Sequence, residues 1–225
     1  MAVVFGDNLR RKHVAVATYL IGAACALATL AATAHAPSAE IVWAFAFVPV
    51  DFSLHPVRSL YTLLTAEFIH AGFVHLVGNL VFLIAFGRSI ENLVGAGTFA
   101  AAFIGFGALS FLGSWIIEPT SHAAIVGASG ALSCLMGAYT VVFPTAKLRI
   151  IPFLHIPYVR AWLFAGAWLA IQFWGAIGIG ETNGGVAYAT HLTGFAIGLV
   201  SGAAWKEFAL DTDRLIAELK DEASS

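Results

Sequence analysis

The chain is 225 residues long, 60% hydrophobic and only 11% charged, with a formal net charge of −2 and a mean hydropathy of +0.86. Soluble domains carry about a quarter charged residues, so this composition excludes a soluble globular protein, and equally disorder, collagen and a long coiled coil. Two cysteines exclude a secreted disulfide scaffold, and the charge gives no electrostatic footprint for nucleic acid.

What remains is an all-α polytopic membrane protein of one domain. A transmembrane helix needs about 20 mostly apolar residues. Six stretches qualify in chain order: residues 14–34, about 71–87, a span within 94–117, 129–143, 161 to about 180, and about 186–205. The fourth is short and ends at Pro144, which suits a helix stop. Residues 41–50 are apolar but too short to cross, and read as part of a first loop lying in the membrane interface. The layout is a cytoplasmic N-terminus (1–13), a six-helix membrane domain (14–206) and a charged cytoplasmic tail (207–225) read as a short solvated helix.

Orientation follows from lysine and arginine. Ten of the eleven fall on one side: Arg10, Arg11 and Lys12; Arg88; Lys147, Arg149 and Arg160; Lys206, Arg214 and Lys220. Arg58 alone lies on the other. Both termini are therefore expected in the cytoplasm. Arg10-Arg11-Lys12, an apolar run and Ala32-Thr33-Ala34 have the form of a signal peptide, but the run exceeds the usual ~7–15 residues, so an uncleaved helix is expected. Cys25 and Cys134 sit inside spans as small core residues.

Polar groups inside spans are expensive and mark function. Here they are His75 and Asn79 in the second span, Ser129 at the head of the fourth, Gln172 in the fifth and His191 in the sixth; His70 precedes the second. His75 and Asn79 stand four apart and share a helix face. Topology puts His75, Asn79, Ser129 and His191 at comparable depth in the outer half of the membrane. A serine and a histidine there suggest a nucleophile and its general base. His75 and Asn79 would donate to a developing oxyanion, joined by the Ser129 backbone N–H at a helix N-terminus. No Asp or Glu lies well inside any span, so the expectation is a Ser–His dyad without a carboxylate. Each residue alone has a blander reading. Gly127-Ala128-Ser129-Gly130 suits close helix packing, and His75, Asn79 and His191 suit hydrogen bonds between helices. Gln172 is read as packing or as such a bond.

The chain resembles the rhomboid family of intramembrane serine proteases. The stretch from Phe68 to Asn79, with His70, His75 and Asn79, is similar to the family's loop and second helix. Phe86-Gly87-Arg88-Ser89-Ile90-Glu91, followed by Gly95, resembles the signature after that helix. Gly127-Ala128-Ser129-Gly130-Ala131 resembles the nucleophile motif, and Thr190-His191-Leu192-Thr193-Gly194, then Gly198, the last motif. The resemblance implies six helices around a water-filled cavity open to the outside. It implies Ser129 as nucleophile, His191 as general base, and His75 and Asn79 as oxyanion donors. His70 would order a loop, and Gly127, Gly130, Gly194 and Gly198 would support the motifs. The implied substrates are transmembrane segments of other proteins, cut near the outer face.

Two positions depart from the pattern. Tyr61-Thr62 stand where the family commonly has Trp-Arg, and Ser133 stands where many members carry an aromatic residue under the imidazole. Some other side chain is therefore expected to hold the His191 ring. The alternative readings are a weak or inactive relative that binds membrane clients, and a small transporter. A transporter would place ionisable groups at the midplane and often shows internal repeats. No cofactor or metal is expected, since no Cys/His/carboxylate cluster has ligand spacing. The expected partners are transmembrane substrates and the lipid bilayer, not nucleic acid. The expected location is a bacterial inner membrane, from the six-span architecture and short termini. Oligomeric state is left open.

Overall fold

The computed structural model describes residues 4–9, 11–34, 38–150, 158–178 and 187–224. Arg10 and the expected span ends at 179–180 and 186 lie outside them.

Each of the six expected spans is a helix. α1 runs Val16–Ala34 and buries Ala17, Thr18, Ile21, Cys25, Thr29 and Ala32, a stripe at helical spacing. Its opposite face leaves Leu20, Leu27 and Leu30 exposed, as suits a helix with one face toward lipid. The first loop then folds into short helices: α2 (Ser38–Phe45), α3 (Pro49–Leu54), α4 (Pro56–Ser59) and α5 (Thr62–Phe68). Tyr61 and Thr62 are used locally there. The Tyr61 hydroxyl donates to the Ala44 carbonyl at 2.7 Å, and Thr62 Oγ1 to the Ser59 carbonyl at 2.7 Å.

The second span is longer than expected. α6 (Phe73–Phe82) passes through a π-helical turn (Leu83–Gly87) into α7 (Arg88–Val94). Arg88 and Glu91 therefore stand on this helix, not in the loop after it. Glu91 is buried in the last turn of this rod, beyond the expected end of the span. It accepts from the Ala17 and Thr18 amides at 2.9 and 2.7 Å and from Thr18 Oγ1 at 2.7 Å. It thereby satisfies amides at the start of α1 that have no partner within their own helix. Gly95, at φ +82°, closes the rod and returns its amide to the Glu91 carbonyl at 2.8 Å.

α8 (Ala96–Ile117), α9 (Ser129–Val142), α10 (Ala161–Gly178) and α11 (Tyr188–Ser224) complete the bundle. Val16–Ala34, Phe73–Val94 and Ala96–Ile117 are long and apolar enough to cross a membrane; Ser129–Val142 and Ala161–Ile177 are apolar but shorter. At 1.5 Å per residue α9 reaches only about 21 Å, against about 30 Å of hydrocarbon. α9 is also the innermost element, with every residue from Gly130 to Tyr139 buried. The charged tail is helical but not separate, since α11 continues unbroken to Ser224.

The fold is not purely helical. β1 (Val4–Asp7), β2 (Lys147–Ile150) and β3 (Tyr158–Arg160) form an antiparallel sheet in the order β1-β2-β3. Chain ends and loops expected to be irregular thus satisfy their backbones by pairing. The sheet follows the C-terminal end of α9, so it lies at the opposite end of that helix from Ser129.

Candidate active site

The chain from Ile125 to Ser129 is fixed by the first loop. Ile125 and Phe47 exchange amide–carbonyl bonds of 2.9 Å, and the Gly127 amide donates to the Ala66 carbonyl at 2.7 Å. The Ala128 amide donates to His70 Nε2 at 3.4 Å, which leaves the His70 proton on Nδ1, facing Thr29 Oγ1 at 3.2 Å. Burial, aided by neighbouring His75, lowers the pKa of His70 to about 4, so the ring is neutral and able to accept. His70 thus holds the chain one residue before Ser129. Gly127 has φ +106°, a conformation that strains any other L-residue. Ser129 then opens α9 half-buried.

Ser129 Oγ lies 2.8 Å from His191 Nε2. This approach depends on how closely α11 lies on α9. A Cβ at Gly194 would come within 2.6 Å of the Gly130 carbonyl oxygen, and one at Gly202 within 2.6 Å of the Ala138 Cα. A side chain at Gly198 would overlap the Cys134 backbone. Residues 194, 198 and 202 form one face of α11, and residues 130, 134 and 138 one face of α9. The small residues let the two backbones touch, and that sets His191 against Ser129.

His75 and Asn79 converge on the same spot from α6. A Cβ on Gly127 would lie 2.8 Å from His75 Nε2 and 3.2 Å from Asn79 Nδ2. Asn79 Nδ2 is buried and has no hydrogen-bond partner, a donor held without an acceptor. All four expected site residues therefore meet at the N-terminal end of α9, opposite the sheet.

Two contacts from α10 meet the His191 ring, and of these the sequence offered only that Gln172 packs or bonds between helices. Gln172 is buried on α10, with Oε1 2.8 Å from His191 Nδ1. Trp168, one turn earlier on α10, lies with its ring centroid 5.9 Å from that of His191, at 43°. Gln172 was visible as a polar group in an apolar span, but its partner depends on how α10 and α11 align, which the sequence does not state. Ser133 does not reach the imidazole, because its hydroxyl donates back to the Ser129 carbonyl at 2.7 Å.

The Rhomboid domain matches residues 57–207. The chain is 33% identical to the mitochondrial rhomboid protein 1 of Saccharomyces cerevisiae over 150 residues, covering 65% of this chain and 42% of that protein. It is 34% identical over 79 residues to the putative rhomboid protease YdcA of Bacillus subtilis, covering 35% of this chain and 39% of that one. It is 30% identical over 152 residues to the chloroplastic rhomboid-like protein 11 of Arabidopsis thaliana, covering 65% and 52%. The chain thus spans about half the length, or less, of these relatives.

Proposed function

The chain belongs to the rhomboid family, and from that premise we propose that it is an intramembrane serine endopeptidase that cuts transmembrane segments of other proteins. The observation that carries the reading is the 2.8 Å contact between Ser129 Oγ and His191 Nε2. A nucleophile and its base need this reach, and apo sites are often looser.

In the proposed reaction His191 Nε2 takes the Ser129 proton as Oγ attacks the scissile carbonyl carbon. The carbonyl oxygen becomes an oxyanion beside Asn79 Nδ2, His75 Nε2 and the amides at the head of α9. The imidazolium returns its proton to the leaving amine as the C–N bond breaks, giving an acyl-enzyme. Water, activated by the same imidazole, releases the acid and restores the serine. A helix hides its carbonyls in hydrogen bonds, so the substrate must unwind locally before attack.

We place the six helical rods across the bilayer, with the sheet and the basic residues on the cytoplasmic side of a bacterial inner membrane, or its organellar equivalent. The site then faces the outer side. The test is labelling of the purified protein in detergent with a fluorophosphonate, beside Ser129→Ala and His191→Ala. The parent should label and both variants should not, while staying folded. Labelling of Ser129→Ala at the parent's rate would overturn the protease reading. A folded parent that does not label would favour a protein that binds membrane clients without cutting them.

A further inference from the structure

An imidazole acts as base toward Ser129 only as one tautomer. Nε2 must carry the lone pair and Nδ1 the proton. In serine hydrolases with a triad a carboxylate on Nδ1 enforces this. Among the described residues no Asp or Glu contacts His191, and the aromatic residue expected four positions after the serine is Ser133. The atom that faces Nδ1 is Gln172 Oε1, at 2.8 Å. A glutamine oxygen can only accept, so the proton sits on Nδ1 and the lone pair of Nε2 points to Ser129. The indole of Trp168 packs by the same ring, one helical turn away on the same helix face. The two thus grip the imidazole at an edge and over a side.

The geometry points to α10 as the holder of the base: Gln172 and Trp168 are positioning residues that fix the tautomer and orientation of His191, replacing the support that α9 lacks at Ser133. The inference rests on the protease reading above and extends it from a dyad to a Ser–His–Gln relay of contacts in which the third member is neutral. Gln172 therefore orients the ring without adding a charge to offset the imidazolium.

The test uses the full-length protein in detergent, with fluorophosphonate labelling rates and ¹⁵N NMR of histidine-labelled samples; the His191 signals are identified by their loss in His191→Ala. Gln172→Leu keeps the bulk and removes the acceptor. It should label on the order of 10–100-fold more slowly, and its His191 signals should show both tautomers in exchange. Gln172→Glu restores an acceptor oxygen at the same reach, and should recover most of the rate with the proton back on Nδ1. Trp168→Leu should slow labelling, with Trp168→Phe recovering part of it. If Gln172→Leu does not fold, the parent spectrum and Gln172→Glu decide the matter. A parent His191 protonated on Nε2, or a folded Gln172→Leu with the parent's rate and tautomer, overturns the inference. Neither result touches the protease reading, which stands or falls on Ser129→Ala.

Discussion

Asn79 is a polar residue whose cost to the fold sets a test of the proposed chemistry. Its amide nitrogen is buried with no acceptor, and an unmet donor of this kind costs about 1–3 kcal/mol. In the proposed reaction its acceptor is the substrate's carbonyl oxygen, gaining charge beside Gly127. Asn79→Ala is therefore expected to move stability and activity in opposite directions. The thermal midpoint in detergent should hold or rise, because the orphan donor is gone. The fluorophosphonate labelling rate should fall by ~10–1,000-fold, with His75 and backbone amides still donating. A loss of stability with the parent's labelling rate would make Asn79 a structural bond between helices. The four principal site residues were legible in the sequence because a polar side chain in an apolar span is conspicuous. Gln172 was equally visible, yet its role was not. A hydrogen bond between α10 and α11 is fixed by packing rather than by any local pattern.

Among the elements, α5 carries more of the site than its seven residues suggest. Its Ala66 carbonyl holds the Gly127 amide at 2.7 Å. The next side chain, Glu67, is wholly buried, and neither of its carboxyl oxygens has a well-formed hydrogen bond. It packs on α8 at Gly107, where any side chain would overlap the carboxyl. Burial raises its pKa from 4.5 to about 9, opposed only by the backbone amide of Ala108. The folded protein keeps this proton at neutral pH, whereas the unfolded chain releases it above 4.5. The unfolded state thus binds fewer protons, and stability falls as pH rises from 4.5 towards 9. His70 acts in the other direction, but only between 6.5 and about 4, where the unfolded chain takes up a proton that the folded one refuses. The interval from 6.5 to 9 therefore reports Glu67. Thermal unfolding of the parent should shift downward across it, and Glu67→Gln should remove that slope and be the more stable protein at pH 8. A variant less stable than the parent at pH 8 would mean that the carboxyl makes a bond worth keeping. Helices such as α8 were legible because they are long, nearly uninterrupted apolar runs. The π turn at Leu83–Gly87 was not, so the signature around Arg88 reads as a loop in sequence although it is helix in the fold.

At the scale of the whole molecule the two ends of the bundle do different work. One end gathers Ser129, His191, His75 and Asn79, and the other gathers the sheet. Clustered lysine and arginine set the second end apart in the sequence, but did not show it as a sheet. β1, β2 and β3 have four, four and three residues, and β1 pairs with a segment some 140 positions later, a contact with no local signature. The knot that ties this end is Asp7. Its side chain has no exposure and meets Arg11 at 2.7 Å. Its other oxygen accepts from Ser89 Oγ at 2.5 Å and from Tyr139 Oη at 2.8 Å. One carboxylate thus joins the N-terminal strand, the second helical rod and the far end of the helix that carries the nucleophile. Asp7→Ala leaves Tyr139 and Ser89 without their acceptor and Arg11 without its counter-ion. Groups stranded in this way cost about 1–3 kcal/mol each, less for the partly exposed Arg11. The expected result is a clear fall in the thermal midpoint. Ser129 lies about 20 Å away along α9, and that helix is locked against α11 by the glycines at 194, 198 and 202. The labelling rate of the folded variant should therefore stay within a few-fold of the parent's at a temperature well below the new midpoint. A labelling rate that falls far more than the folded fraction would mean that the sheet end sets the position of Ser129, and that the two ends of α9 are coupled.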